Sequence, residues 1–282
     1  MTRKFTLFLA SMLIVFSAGA TMPMTDNSLV EQQSVTLATE ENDEDGYWWG
    51  ASFDIASNYL WRGYDQSYRG GNRTMFDPAL QGGVTFGYGK FYIDLWANHS
   101  LISKYNEFDI FLGFEHENLT ITAYDVLWGV CGEMETMNPF NAKNHSLTTT
   151  IDYTLFDCLR LHWATTFIHS GDKLANGKQA FSSYFEAAYT HSVGDMFDVE
   201  LTAGAAPWTG VFWMGGPQIK LEDGSYALDF DNQPTGFNVT NLSVMLNKEF
   251  EVEGISVPAQ FGYVYNPTSK CHYVLLKAGL SF

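Results

Sequence analysis

From residue 47 onward, apolar and polar side chains alternate in twelve phrases of about ten residues. Alternation with period two puts successive side chains on opposite faces of an extended strand. In 91–100, Phe91, Ile93, Leu95 and Ala97 share one face; Tyr92, Asp94, Trp96, Asn98 and Ser100 share the other. In 146–155, Leu147, Thr149, Ile151, Tyr153 and Leu155 oppose Thr148, Thr150, Asp152 and Thr154. In 272–282, Val274, Leu276, Ala278, Leu280 and Phe282 oppose Tyr273, Leu275, Lys277, Gly279 and Ser281. The pattern predicts strands over 47–62, 78–88, 90–101, 105–115, 119–128, 145–155, 159–169, 181–191, 196–206, 237–247, 255–265 and 272–282. In 119–128, Leu119, Ile121 and Ala123 define a face that Asp125 spoils, and a bulge would restore the register.

The connections alternate in length. Gly89, 116–118, 156–158, 192–195 and 248–254 are short; 63–77, 129–144, 170–180, 207–236 and 266–271 are longer. The link at 102–104 should be long and is not. Short turns at one end and long loops at the other are the asymmetry of outer-membrane barrels, where strands of this length cross the bilayer. An unpaired backbone group in hydrocarbon costs several kcal/mol. A membrane reading therefore requires closure, with the first strand (47–62) paired to the last (272–282). The expected fold is all-β: a transmembrane antiparallel up-and-down β-barrel of about 12 strands over 47–282. An even strand number places both termini on the periplasmic side.

The N-terminus supports export. Met1-Thr2-Arg3-Lys4 precedes the apolar stretch Phe5 to Phe16, and Ser17-Ala18-Gly19-Ala20 follows. A basic start, a short apolar run and small residues make a signal peptide over 1–20, cleaved after Ala20. Residues 21–46 are polar and acidic, and are expected to be a disordered lead-in. The formal net charge of −17 argues against nucleic-acid binding, which needs a basic surface. The three cysteines, Cys131, Cys158 and Cys271, form neither a disulfide framework nor a metal motif. If any pair bonds, the expected one is Cys131–Cys271; three free thiols is the alternative.

If the apolar face meets lipid, the opposite face lines a lumen. That face carries Asp54, Asn58, Arg62, Asp94, Asn98, Asp109, Glu115, Asp152, Arg160, His162, Glu186, Asp198, Glu200 and Lys277. A charge facing lipid at mid-depth costs roughly 2–4 kcal/mol, so these groups belong inside. In an open lumen the acidic excess would favour cations. In a closed one the same groups would be internal salt bridges. His162, beside carboxylate-bearing strands, could titrate. Trp48, Trp49, Tyr59, Trp61, Tyr88, Tyr105, Tyr189 and Tyr265 lie near strand ends, where interfacial girdles form. No histidine stands in a Ser/His/acid spacing and no G-x-S-x-G occurs. No catalytic, cofactor or metal site is expected. The partners expected are outer-membrane lipid, the barrel-assembly machinery, which would read the terminal Phe282, and a small solute of unknown identity.

Residues 50–63 end in Tyr59-Leu60-Trp61-Arg62-Gly63, with Gln66 shortly after. This resembles the opening strand of the TorF-like porins and their Bacteroidetes relatives, a small-residue strand ending in Tyr-x-aromatic-Arg-Gly. Pro78-Ala79-Leu80-Gln81-Gly82-Gly83, then Phe91-Tyr92 and Asp94-Leu95-Trp96-Ala97, extend the likeness to about residue 100. The resemblance implies an outer-membrane porin for passive diffusion of small solutes. A non-conducting barrel acting through its outer loops, as receptor, adhesin or structural protein, is the alternative. Arg62 would then sit at the outer end of the lumen, pairing with carboxylates or narrowing the mouth.

Overall fold

The computed structural model describes residues 46–66, 76–130, 137–169, 172, 178–208, 210, 218–220, 226–228, 236–252 and 255–282. The expected signal peptide and acidic lead-in, Cys131 and most of 207–236 lie outside the described residues. Twelve strands form the wall: β1 (Tyr47–Ala56), β2 (Ala79–Tyr88), β3 (Phe91–Ser100), β4 (Tyr105–His116), β5 (Leu119–Val130), β6 (Ser146–Leu155), β7 (Leu159–His169), β8 (Ser183–Val193), β9 (Phe197–Ala206), β10 (Asn238–Val252), β11 (Ile255–Asn266) and β12 (Cys271–Ser281). Each pairs antiparallel with its sequence neighbours, and β1 closes the barrel on β12 from Ser52↔Ser281 to Ala56↔Lys277. Closure continues through Phe282, whose N–H and C=O both pair with Ala51, at 3.0 and 3.1 Å. Tyr47 and Phe282 thus lie at the rim that also carries the short turns.

The alternation sorts the faces. In β3, Tyr92, Asp94, Trp96, Asn98 and Ser100 are buried inside while Phe91, Ile93 and Leu95 are exposed outside. Every one of the twelve strands carries at least one exposed large apolar side chain, among them Ile55, Phe86, Leu112, Ile151, Leu201 and Leu276. Together they form a continuous apolar belt. No helix among the described residues is long and apolar enough to cross a membrane.

Four expectations change. The first strand ends at Ala56, not at residue 62. Ser57 still donates its N–H to Leu276 (2.7 Å), and its hydroxyl accepts from the Leu276 N–H (3.0 Å). The chain then leaves the wall because Tyr59, Leu60 and Arg62 find buried partners inside. Second, β5 pairs with β4 without a bulge. Asp125 keeps its outward place because His145 of the loop and the Ser146 N–H at the start of β6 reach it, at 2.5 and 3.0 Å. The bulges fall instead at Leu147/Thr148 and Gly204/Ala205. Third, β10 runs to Val252 and β11 starts at Ile255, its register partner, so most of the expected 248–254 link is wall. Fourth, the girdle loses members. Tyr59 and Tyr105 are fully buried, Trp61 packs against their cluster, and Trp48 turns toward the interior Tyr92 (6.2 Å between ring centres). Trp49, Tyr88 and Tyr189 are exposed on the outside, and Tyr265 stacks on His272.

The short link at 101–104 is held by Asp77, whose carboxylate accepts the Ile102 N–H (2.8 Å) and the Ser103 N–H (3.2 Å). That link needs no length because the preceding loop fastens it.

Candidate functional site

After Asn58 the chain makes a miniature hairpin inside the barrel. Leu60–Trp61 pairs with Tyr64–Asp65, and the Gln66 N–H donates to the Tyr59 carbonyl at 2.8 Å. Arg62 (φ 49°) and Gly63 (φ 89°) form the two-residue turn. Positive φ at both central positions is the primed geometry that tight hairpins favour. Asn58 ties the base by donating to the Asp65 carboxylate at 2.9 Å.

The hairpin reaches three sectors of the wall. On one side Tyr59 packs with Trp96, Tyr105, Phe111 and Tyr124, and donates its hydroxyl to Glu107 at 2.7 Å. On the opposite side Leu60 packs with Ala56, Met245, Val264 and Leu275, from β1, β10, β11 and β12. At the tip, Arg62 Nη2 donates to His162 Nε2 at 3.2 Å. Its guanidinium also lies 4.5 Å from the Trp61 ring centre and 4.9 Å from that of Tyr184, within cation–π reach. A Cβ on Gly63 would fall 1.9 Å from the Thr240 carbonyl oxygen of β10, so only glycine fits at this contact.

The tip enters a charged network. His162 Nδ1 donates to Asp152 at 2.8 Å. An arginine side chain only donates, so in this contact Nε2 is the acceptor, with Nδ1 donating to Asp152. Arg160 donates to Asp152 (3.2 Å) and to Glu186 (2.7 Å), with all three side chains buried. Glu186 also accepts from the Tyr184 hydroxyl (2.5 Å) and the Asn241 amide (3.1 Å). One chain of hydrogen bonds therefore links the hairpin to β6, β7, β8 and β10. A charge buried in this way is tolerated only when it is paired and hydrogen-bonded.

Of the other inner-face residues, Glu200 acts electrostatically on Arg160 of this network. Asp54 pairs with Lys277 at 3.1 Å across the closing seam. Asp94 accepts from Thr85 at 2.7 Å. Asn98 accepts from the Gln81 amide at 3.3 Å. Asp109 and Glu200 are buried on the same face, while Glu115 and Asp198 are half-buried toward the short-turn rim. Carboxylates outnumber the cations Arg62, Arg160 and Lys277. Sequence reasoning omitted Glu107, Tyr184 and Asn241. Glu107 shares the parity of Asp109, and Tyr184 that of Glu186, so strand alternation alone contained both. Asn241 was hidden by the bulge beside it at Gly204/Ala205.

Outside the wall, Asp172 accepts from Ser182 and Gln179, and burial holds its carboxyl above the ordinary value. Trp208, the described part of the 207–236 aromatic group, donates to the Phe181 carbonyl at 3.0 Å; Phe212 and Trp213 lie outside the described residues. Cys158 and Cys271 are free thiols. No group of three or more His, Cys, Asp or Glu among the described residues could hold a metal ion.

No protein-family model and no curated protein sequence matches the chain. Among solved structures, the chain is similar to an outer-membrane channel from Pseudomonas putida F1, at 11% identity and TM-score 0.37, covering 86% of this chain and 98% of that one. It is also similar to a bacterial polysaccharide outer-membrane secretin, at 7% identity and TM-score 0.40, covering 83% of this chain and 97% of that one.

Proposed function

We propose that the protein is an outer-membrane barrel that passes small solutes, cations ahead of anions, through a lumen restricted by the Tyr59–Gln66 hairpin. The carrying observation is the apolar belt on all twelve strands of a closed wall whose interior is acidic. A soluble monomer rarely exposes more than a few hundred Å² of contiguous apolar surface, whereas a barrel in lipid requires it. In this reading the short-turn rim and both termini face the periplasm, outer-membrane lipid covers the belt, and the assembly machinery reads β12 and Phe282. The TorF-like porin relationship belongs to the same proposal, its Tyr-x-aromatic-Arg-Gly signature being the residues that build the hairpin. The excess of inner-face carboxylates supports the cation preference. No catalytic role is assigned to the barrel.

The test is conductance of the purified protein in a planar bilayer, beside a variant lacking Leu60–Asp65. Small steps from the wild type, larger steps from the variant and a reversal potential on the cation side are expected. Silence from both would sink the channel and favour the second reading, a non-conducting barrel that acts through its outer loops. The observation behind that second reading is the depth of burial of Asp54, Asp94 and Glu186 on the inner face.

A further inference from the structure

We propose that Lys90 and His116 bind the phosphate of a membrane lipid at the short-turn rim, beside a row of aromatic rings that leads its acyl chains into the apolar belt. The lipid rests on the membrane reading above; the phosphate rests on side-chain geometry.

The turn Gly89-Lys90 joins β2 to β3, and β4 ends at His116. Both side chains are exposed, and Lys90 Nζ donates to His116 Nδ1 at 3.0 Å. An ammonium only donates and carries three N–H groups, so Lys90 keeps further donors to offer, and His116 keeps its second ring nitrogen. Among the described residues no carboxylate lies within ion-pair distance of either side chain. Glu115 turns to the inner face, and Glu117 stands exposed in the turn beyond. The chain has 32 acidic residues against 15 basic ones, so a lysine that meets a histidine instead of a carboxylate runs against its composition. A phosphate oxygen can accept from both groups through charge-assisted hydrogen bonds.

The surroundings make that anion a lipid's. Tyr47, Tyr88, Phe91 and Phe114 are register partners in succession across β1 to β4. Ring centres lie 4.8 Å apart for Tyr47 and Tyr88, and 5.2 Å apart for Phe91 and Phe114. Tyr47, Tyr88 and Phe91 are 86, 50 and 64% exposed. Aromatic rings concentrate where a bilayer meets water. Phe114 and His116, two residues apart, share the outer face, with their rings edge-on at 6.5 Å. On the other side of the row the strands continue with exposed Phe86, Ile93 and Leu112, which belong to the belt. The basic pair therefore stands at the wet edge of the row and the belt at its dry edge. A free anion would use only the first; a phospholipid fills both.

The experiment is native mass spectrometry of the purified barrel in mild detergent. The probes are phosphatidylglycerol, diacylglycerol with the same acyl chains, and inorganic phosphate. Three proteins are compared: wild type, the double variant Lys90→Gln/His116→Gln, and Lys270→Gln, which changes an exposed lysine at the opposite rim. Heat-modifiable gel mobility checks that each is folded. Wild type and Lys270→Gln should retain phosphatidylglycerol about fivefold more tightly than diacylglycerol, and the double variant should lose that preference. Equal retention of phosphatidylglycerol by the wild type and the double variant overturns the site. Binding of inorganic phosphate with no preference between the two lipids overturns the lipid assignment. Equal retention of both lipids by the wild type defeats the site and leaves the membrane reading standing. Retention of neither lipid by any of the three proteins defeats both.

Discussion

Gly63 sits directly against the Thr240 carbonyl, where a single Cβ would come within 1.9 Å of the oxygen. The glycine also holds φ at 89°, a conformation that L side chains avoid. Gly63→Ala should therefore lift the hairpin tip off β10, at a cost of roughly 1–3 kcal/mol, while the barrel stays closed. The expected result is larger conductance steps with unchanged heat-modifiable mobility. Wild-type steps would mean that the tip tolerates the methyl group.

Arg160 is the hub of the buried charges. Arg160→Met removes the partner of both Asp152 and Glu186 and leaves two carboxylates inside. Removing one side of a buried pair costs about 3–5 kcal/mol. Lys277→Met removes one ion-pair partner from a single carboxylate, Asp54, and Lys277 itself is less buried. Urea unfolding in micelles should show the larger loss for Arg160→Met; the reverse order would place the dominant pair at the seam.

Deleting Phe282 should lower the amount of assembled barrel in the outer membrane. The residue provides both backbone hydrogen bonds that extend the β1–β12 seam to Ala51. Quantitative blotting of heat-modifiable protein checks this, and wild-type levels would refute it.

His145 should titrate above an ordinary histidine. The hydrogen bond to Asp125 raises it most, opposed by partial burial and helped by the Pro139 carbonyl. A folded value above the unfolded one means that the contact contributes fully below about pH 6.5 and fades as pH rises through the raised value. Proteolysis in the segment before β6 should accelerate over that upper range, and Asp125→Asn should abolish the pH dependence.

The wall was legible because a pleated strand writes its two faces into the sequence with period two. Phe91, Ile93 and Leu95 against Tyr92, Asp94 and Trp96 needed no further information. Closure followed from the hydrogen-bond requirement of lipid. The hairpin was not legible, because Tyr59, Trp61 and Arg62 continue the alternation of β1 and read as more wall. Distant partners such as Glu107, His162 and Leu275 draw the chain inward, and no local pattern encodes them. Asp125 failed for a related reason: its partner His145 lies across a loop. The Arg62-Gly63 pair was the one local signal, a glycine in second position of a tight turn.

The hairpin also implies an order of events. Arg62 and His162 are 100 residues apart in sequence, and Tyr59 and Glu107 are 48 apart. Contacts of such separation form late, after the intervening chain has been organised. Beyond Ala56 of β1, the cluster around Leu60 draws Met245, Val264 and Leu275 from β10, β11 and β12, which reach it only when the seam shuts. Docking of residues 59–66 is therefore a molecular record that the last strand has met the first. The opening strand of the barrel contributes the segment that settles last.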